Sequence, residues 1–444
     1  MNGLSENPWA ARFSAILDKD EIVRRATLVP APLGDISNLA PEVAAARLKA
    51  QMESVYYPTD QVVDILYSWV GLAYQHCLDY YRDQSFFLNC VYSERPPAPE
   101  FRPLICLTGQ AGSGKTELIK AFHRIQELPE MIFVDPEHPP FPLVPHWSLT
   151  VHANGTSKDL LSALSGGSGT PRDLVQLCRR QAYRDGVAFL INDEFQFATG
   201  STSANARVTQ MLLSAGYLGL PPVYAANFSL LHRLMKRPAE DRHRLLSNPI
   251  ILLPEAPSSN DWNRTLQAQK DAAPHILVFD PAKDGPAIHR YSAGDMRAEV
   301  ALLVCAYRIG RTTTGLVSLN EIELAYHCTA YTAYRRDVEA LMQLSLGDSR
   351  VRKQRKDLWC PLDLPEGAVA QFASRARAAR QARADDQAAQ DSLTQAERKA
   401  LAAMEKSRQP KKASVAAKVF DMTKNGPATA AERLANFQKF RDLL

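Results

Sequence analysis

Long apolar runs are missing from this 444-residue chain. No stretch approaches the length of about 18 apolar residues that a membrane-spanning helix needs. The N-terminus, MNGLSENPWAARF, has no basic head followed by an apolar core, so neither export nor membrane insertion is expected and a cytoplasmic place is. The seven cysteines, at 77, 90, 106, 178, 305, 328 and 360, form no C-x-x-C pair and no zinc spacing. That excludes a disulfide framework or a structural zinc site and leaves buried free thiols. Strong net charge is also lacking: the formal balance is +4. It conceals an asymmetry, because residues 350–444 hold 20 Lys+Arg against 11 Asp+Glu, leaving 32 against 37 in the rest. The tail is therefore basic and the body slightly acidic, which suits a tail that is simply solvated or one that meets an acidic partner or nucleic acid.

What the chain does have is LICLTGQAGSGKTELIK, residues 104–120. Gly109, four residues, then Gly114, Lys115 and Thr116 give the spacing G-x-x-x-x-G-K-[ST]. Small residues there let the backbone curl until successive N–H groups point at a phosphate, and Lys115 adds a mobile positive charge. Thr116 places a hydroxyl where Mg²⁺ bridging two phosphates would sit. Residues 104–107 read as an apolar strand and 114–126 as a helix, so phosphate would meet a helix N-terminus. The nucleotide-binding candidates are Gly109, Gln110, Ala111, Gly112, Ser113, Gly114, Lys115, Thr116 and Glu117, with ATP and Mg²⁺ as cofactors.

Read from its start, the chain opens on about 40 residues with little periodicity, an extended arm expected to pack on the core or on a neighbour. Helices are expected over 41–52 and 59–81, the latter with Thr59 as cap and Val62, Leu66, Trp69, Ala73, Cys77 and Tyr80 along one face. RPPAPEFRP, residues 95–103, is a proline-rich hinge. Beyond it strand and helix alternate: strand 147–151, helices from 157 and over 171–183, strand 187–191. Alternation of this kind argues a parallel sheet covered on both faces. The six prolines within 129–145 read as a rigid exposed loop.

A second chemical signal is VAFLINDEFQ, residues 187–196. Two carboxylates leave the carboxyl end of a buried strand, where open α/β sheets bind ligands. Phosphoryl transfer needs both, Asp193 for the metal and Glu194 to orient the attacking water. PPVYAANFSLL, residues 221–231, is another strand; its Asn227 either senses the terminal phosphate or caps the following helix. Arginines 233, 237, 242 and 244 cluster before a final strand at 250–253. Arg244 first, and Arg242 second, are candidates to project into a neighbouring subunit's site and neutralise transition-state charge.

Residues 257–286 read as a polar, proline-broken linker with a small element around Ile276 to Phe279. A helix within 291–310 and another over 319–346, with Ser318 and Glu321 in capping-box spacing, make a helical lid. Arg297, in the first lid helix, is placed either to touch the nucleotide's phosphates or to make a helix-end salt bridge. Residues 371–408 are too poor in large apolar side chains to form a core. Two short amphipathic pieces at 413–424 and 429–444 then look like a hook for a partner protein. Four parts are expected: arm and helices (1–98), nucleotide-binding core (99–256), helical lid (257–347) and basic, partly flexible tail (348–444).

The phosphate loop GQAGSGKT, the LINDEFQ strand end and a lid opening on SAGDMR together resemble an AAA+ ATPase. YYPTDQ before the long helix, HWSLTVHANGTSKDLLSAL, Gln196 behind the acidic pair and LNEIELAYHCTAYTAYRRDVEAL look like the TnsC/TniB group of transposition regulators. The resemblance covers residues 50–347; the basic tail and the proline-rich loop depart from its pattern. It implies an α/β P-loop fold with a helical lid, ATP hydrolysis, and rings or helical filaments on double-stranded DNA near the nucleoid. It also implies partners in transposase and target-selector proteins. Lys158 and Arg172 are the candidates it supplies for DNA-backbone contacts. A helicase loader or replication initiator, and a signalling or defence ATPase, share the same motor core and stand as alternatives.

Overall fold

The computed structural model describes residues 7–126, 131–150, 156–193, 202–364 and 384. The chain divides into two compact units, Met1–Arg380 and Gln381–Leu444, and the described residues other than Ala384 belong to the first. The hook proposed from residues 413–444 lies outside the described residues, as does Glu194.

Four N-terminal helices, α1 (Pro8–Ala11), α2 (Lys19–Ala26), α3 (Pro41–Ser54) and α4 (Asp60–Tyr80), and a fifth, α5 (Gln84–Val91), precede β1 (Ile105–Gly109). The phosphate loop joins β1 to α6 (Lys115–Arg124). There follow the short strands β2 (Met131–Ile132) and β3 (Phe141–Pro142), then β4 (Trp147–Thr150), α7 (Ser157–Ser165), α8 (Pro171–Arg184) and β5 (Leu190–Asp193). Next come α9 (Thr202–Gly216), β6 (Pro222–Asn227), α10 (Phe228–Leu234), α11 (Ala239–Leu245) and β7 (Asn248–Ile251). Six helices close the described chain: α12 (Asn260–Ala272), α13 (Pro281–Ser292), α14 (Met296–Gly310), α15 (Leu319–His327), α16 (Thr332–Ser345) and α17 (Ser349–Gln354).

Among the described residues, five strands make one sheet in the order β4-β5-β6-β1-β7, all neighbours parallel. β1 is fully buried, as an interior strand of a parallel sheet covered on both faces must be. The chain works inward from the β4 edge to β6, then passes over β1 to reach β7. β1 therefore has a neighbour from each branch, which opens a crevice at its carboxyl end.

Alternation along the strands sends Ile105, Leu107, Ile191, Val223 and Ala225 to one face, where α1, α2, α4, α5 and α6 cover them. Cys106, Leu190, Tyr224 and Ala226 go to the other, under α7 to α11. The opening residues are helical rather than an extended arm. Trp9, Phe13 and Ile16 are fully buried, and the Trp9 ring lies 5.4 Å from that of Tyr81 and 4.8 Å from that of Phe87. Truncating an aromatic so placed typically costs about 3–5 kcal/mol. The proline-rich segment also differs from the exposed loop expected of it: β2 and β3 pair antiparallel, and Ile132, Val134, Phe141 and Leu143 enter the core. Prolines are tolerated there because a two-stranded edge asks for few ladder N–H groups.

The third apolar cluster joins α12 to α16 with α3. Residues 257–286 are not a linker: Ser259 and Asp280 cap α12 and α13, and Trp262, Leu266, Phe279 and Ile288 are buried. The helix expected over 319–346 breaks at Cys328, where a short 3-10 turn (Thr329–Tyr331) separates α15 from α16. The capping box of Ser318 and Glu321 is present.

Candidate functional site

The phosphate loop takes its shape from glycine. Gly112 and Gly114 sit at φ of 81° and 90°, left-handed backbone that side chains resist. Gly114 is also the N-cap of α6 and supplies no side-chain cap, so first-turn N–H groups of that helix are left for a ligand. Gly109 is crowded: a Cβ there would stand 2.7 Å from the Leu252 carbonyl oxygen. Three buried polar atoms at the ends of β1 and β5 have no partner among the described residues: Thr108 Oγ1, Gln110 Nε2 and Asn192 Oδ1. Orphans of that kind fit a polar ligand arriving from the crevice.

Lys115 curls back over the loop, its Nζ donating to the carbonyls of Gly109 (3.0 Å) and Gln110 (2.7 Å). Burial pushes its ammonium down to about 8; the carboxylates of Asp193 and Asp295 oppose the shift and Arg297 adds to it. Asp193, Asp295 and Arg297 therefore each act on Lys115, although they come from β5 and the start of α14. An anion seated on the loop would raise this pKa again, so binding requires the proton that free Lys115 loses above pH 8. ATP affinity is expected to be level below pH 8 and to fall roughly tenfold per pH unit above it, measurable by titration calorimetry between pH 6.5 and 9.5. A flat profile to pH 9.5 would remove Lys115 from the binding step.

Asp295 was not among the candidates, yet it is the residue of the helical bundle that meets the loop. It caps α14, accepting from the Ala298 N–H at 2.8 Å. Its carboxylate lies against Gly112, close enough that a Cβ on that glycine would overlap it. Burial raises its pKa, while the Ala298 and Arg297 amides and the charges of Arg297 and Lys115 pull the other way. The only hint in the sequence was its place two residues before Arg297 in SAGDMR. Arg297 itself is exposed in the first turn of α14. Gln61 is a second unforeseen contributor, its amide bridging the Ile251 carbonyl and the Leu253 N–H beside the loop.

The remaining candidates divide. Thr116 and Glu117 open α6, Thr116 exposed and Glu117 paired with Lys120 at 2.7 Å. Asp193 ends β5, and Asn227 ends β6 directly opposite Gly109 in the register. Asn227 Oδ1 accepts from the Leu230 N–H at 3.0 Å, so it does cap α10. Arg244 pairs with Glu240 at 3.2 Å and lies 5.6 Å over the Phe101 ring. Arg242 is half-buried with an unpartnered Nε. Lys158 and Arg172 are exposed in the first turns of α7 and α8, each beside a capping-box aspartate, Asp159 or Asp173.

A parallel sheet, helices on both faces and a glycine-built phosphate loop leading into α6 are the α/β P-loop NTPase fold. No family model matches the sequence, and no curated protein matches it. Among solved structures the chain is similar to Drosophila ORC bound to DNA, with 13% identity covering 77% of this chain and 85% of that one at a TM-score of 0.39. It is also similar to the Aeropyrum pernix ORC1 protein in complex with DNA (16%, 67% and 81%, 0.34). A third is domain III of the Thermotoga maritima replication initiation protein DnaA (16%, 55% and 88%, 0.33). Likeness of this grade carries no argument about activity. No described helix is long and apolar enough to cross a membrane.

Proposed function

We propose that this protein is an AAA+ ATPase that regulates DNA transposition: ATP binding lets it oligomerise on double-stranded DNA as a ring or filament, and hydrolysis takes the assembly apart. In this reading it links target-site selection to transposase recruitment, within the cytoplasm and on the nucleoid. The observation that carries the nucleotide part is the convergence of Lys115, Asp193, Asp295 and Arg297 on one glycine-shaped loop. The transposition part rests on the sequence resemblance over residues 50–347. We take 99–256 as the nucleotide-binding core, 257–347 as the lid and 348–444 as the tail that reaches partner proteins.

The residues present fit a Mg-nucleotide. The first-turn amides of α6 and the Lys115 ammonium hold phosphate, Thr116 and Asp193 hold the metal, and Glu194 orients water. Mg²⁺ when bound neutralises charge on the phosphate oxygens. Asn227, opposite Gly109, reads the terminal phosphate from the neighbouring strand. Arg297 approaches the same anion from the bundle, and Arg244 or Arg242 serves the adjacent subunit's site. Lys158 and Arg172 touch the DNA backbone.

Glu194→Gln keeps the nucleotide contacts but removes the base, so hydrolysis is expected to fall about 100-fold or more with ATP affinity unchanged. Electron microscopy of this variant with ATP and random duplex DNA should show persistent rings or filaments. Rapid turnover in the variant, or identical assemblies without nucleotide, would defeat the proposal. Delivery of a replicative helicase in place of a transposase would favour the loader alternative.

A further inference from the structure

Away from the phosphate loop, α10 meets the segment that follows the helical bundle. Residues 349–356 read SRVRKQRK, five cations and no carboxylate. After α17 the chain turns back and sets Trp359 between two other side chains. The Arg352 guanidinium lies 4.3 Å over the indole, and the His232 imidazole of α10 stands 4.3 Å from it at 73°. Two hydrogen bonds lock the stack: Trp359 Nε1 donates to the Arg352 carbonyl at 2.8 Å, and His232 Nε2 lies 3.3 Å from the Trp359 carbonyl. Beyond it, Cys360, Leu362 and Leu364 anchor the segment against the face of the sheet covered by α7 to α11.

Charge at this junction is unbalanced. Lys236, Arg350, Arg352, Lys353 and Lys356 are all exposed, and among the described residues none has an ion-pair partner. Most carboxylates nearby are already engaged: Asp337 and Asp357 by Arg355, Asp241 by Arg237, Glu240 by Arg244, and Asp348 as the cap of α17; exposed Asp363 is left against five cations. After burial itself, the charges of Lys356, Lys236 and Arg352 are what hold the His232 imidazole below its ordinary pKa, which places them around one point. Gathering like charges without a counter-charge costs stability, and a polyanion removes that cost. A guanidinium resting over an indole by its carbon still has N–H groups to offer the oxygens of a phosphate.

We propose that this junction is a phosphate-backbone site for nucleic acid, with Lys236, Arg350, Arg352, Lys353 and Lys356 as its cations and the Arg352–Trp359–His232 stack as its frame. It is distinct from Lys158 and Arg172 and works without nucleotide. The proposal extends the DNA-binding part of the function given above but does not rest on the ATP switch.

The test uses the full-length chain carrying Lys115→Ala, so that ATP-driven assembly is off, and the same chain with Lys236→Gln, Arg352→Gln and Lys356→Gln added. Binding to a labelled 30-base-pair duplex and to the matching single strand is read by fluorescence anisotropy from 50 to 300 mM KCl. The first protein is expected to bind at low salt. The second should bind at least tenfold more weakly, equally for unrelated sequences, with a salt slope smaller by about 2.7 on the duplex and about 2.1 on the single strand for three lost phosphate contacts. A loss on both probes assigns backbone phosphate in general; a loss confined to one assigns that strand form. Unchanged thermal unfolding excludes misfolding as the cause. Equal affinity and slope in the two proteins would overturn the site while leaving the ATP-dependent reading intact. So would a loss seen only for poly-glutamate, which would mark an acidic protein as the ligand.

Discussion

Lys115→Ala is expected to weaken ATP binding by roughly 10- to 100-fold and to abolish nucleotide-dependent assembly on DNA. The estimate follows from the loss of one charge-assisted contact to phosphate, worth about 1.5–3 kcal/mol, at tenfold per 1.4 kcal/mol. Folding should be little affected. The ammonium makes hydrogen bonds to Gly109 and Gln110, but it is held there against the cost of its own desolvation, as its lowered pKa records. Titration calorimetry with ATP, paired with a thermal melt, separates the two effects. Affinity within threefold of the parent would mean that the loop is not the nucleotide site.

Gly112→Ala tests the docking of the bundle on that loop. The substitution meets two obstacles: a φ of 81°, which costs about 1–2 kcal/mol for a residue with a Cβ, and a Cβ that would come to 2.0 Å from the Asp295 carboxylate. Either the loop flattens or the start of α14 is driven off. ATP affinity is expected to drop more than tenfold, and Asp295→Ala in the same chain should recover the part due to overlap but not the part due to φ. Gly34→Ala is the control, since nothing lies within 4 Å of a Cβ there. Unaltered affinity in Gly112→Ala would mean that α14 does not seat on the loop in the binding state.

The glycine-built turn between β1 and α6 was legible in the sequence because its signal is local: glycines, a lysine and a hydroxyl within eight consecutive residues. β1 and α6 flank it as expected, and the long helix starts from Thr59 as its cap. Asp295 and Gln61 were not legible. Each acts on the loop or on β7 through a long-range contact that no window of periodicity contains. The opening helices escaped for a different reason. Trp9, Phe13 and Ile16 are spread over α1, the turn after it and a short 3-10 turn (Ser14–Ile16), and only their burial in the cluster built on α4 and α5 makes a pattern of them. In residues 257–286 polar composition hid α12 and α13, whose few large side chains all point into the bundle.

The placement of α3 has a mechanical consequence. α2 and α4 lie on the sheet, but α3, between them in the chain, is packed into the bundle with α12 and α14. The polypeptide thus crosses from sheet to bundle at 27–40, returns at 55–59, crosses again at 252–259, and comes back at 346–364 to the far face. Gln61 and the Asp60 N–H bond to Asp261 stitch two of these crossings together. A body tethered at four points cannot swing like a flap on one hinge. It can only twist about an axis through its attachments, and a torsion that began where Asp295 meets Gly112 would pull on the N-terminal layer and on residues 346–364 in the same stroke.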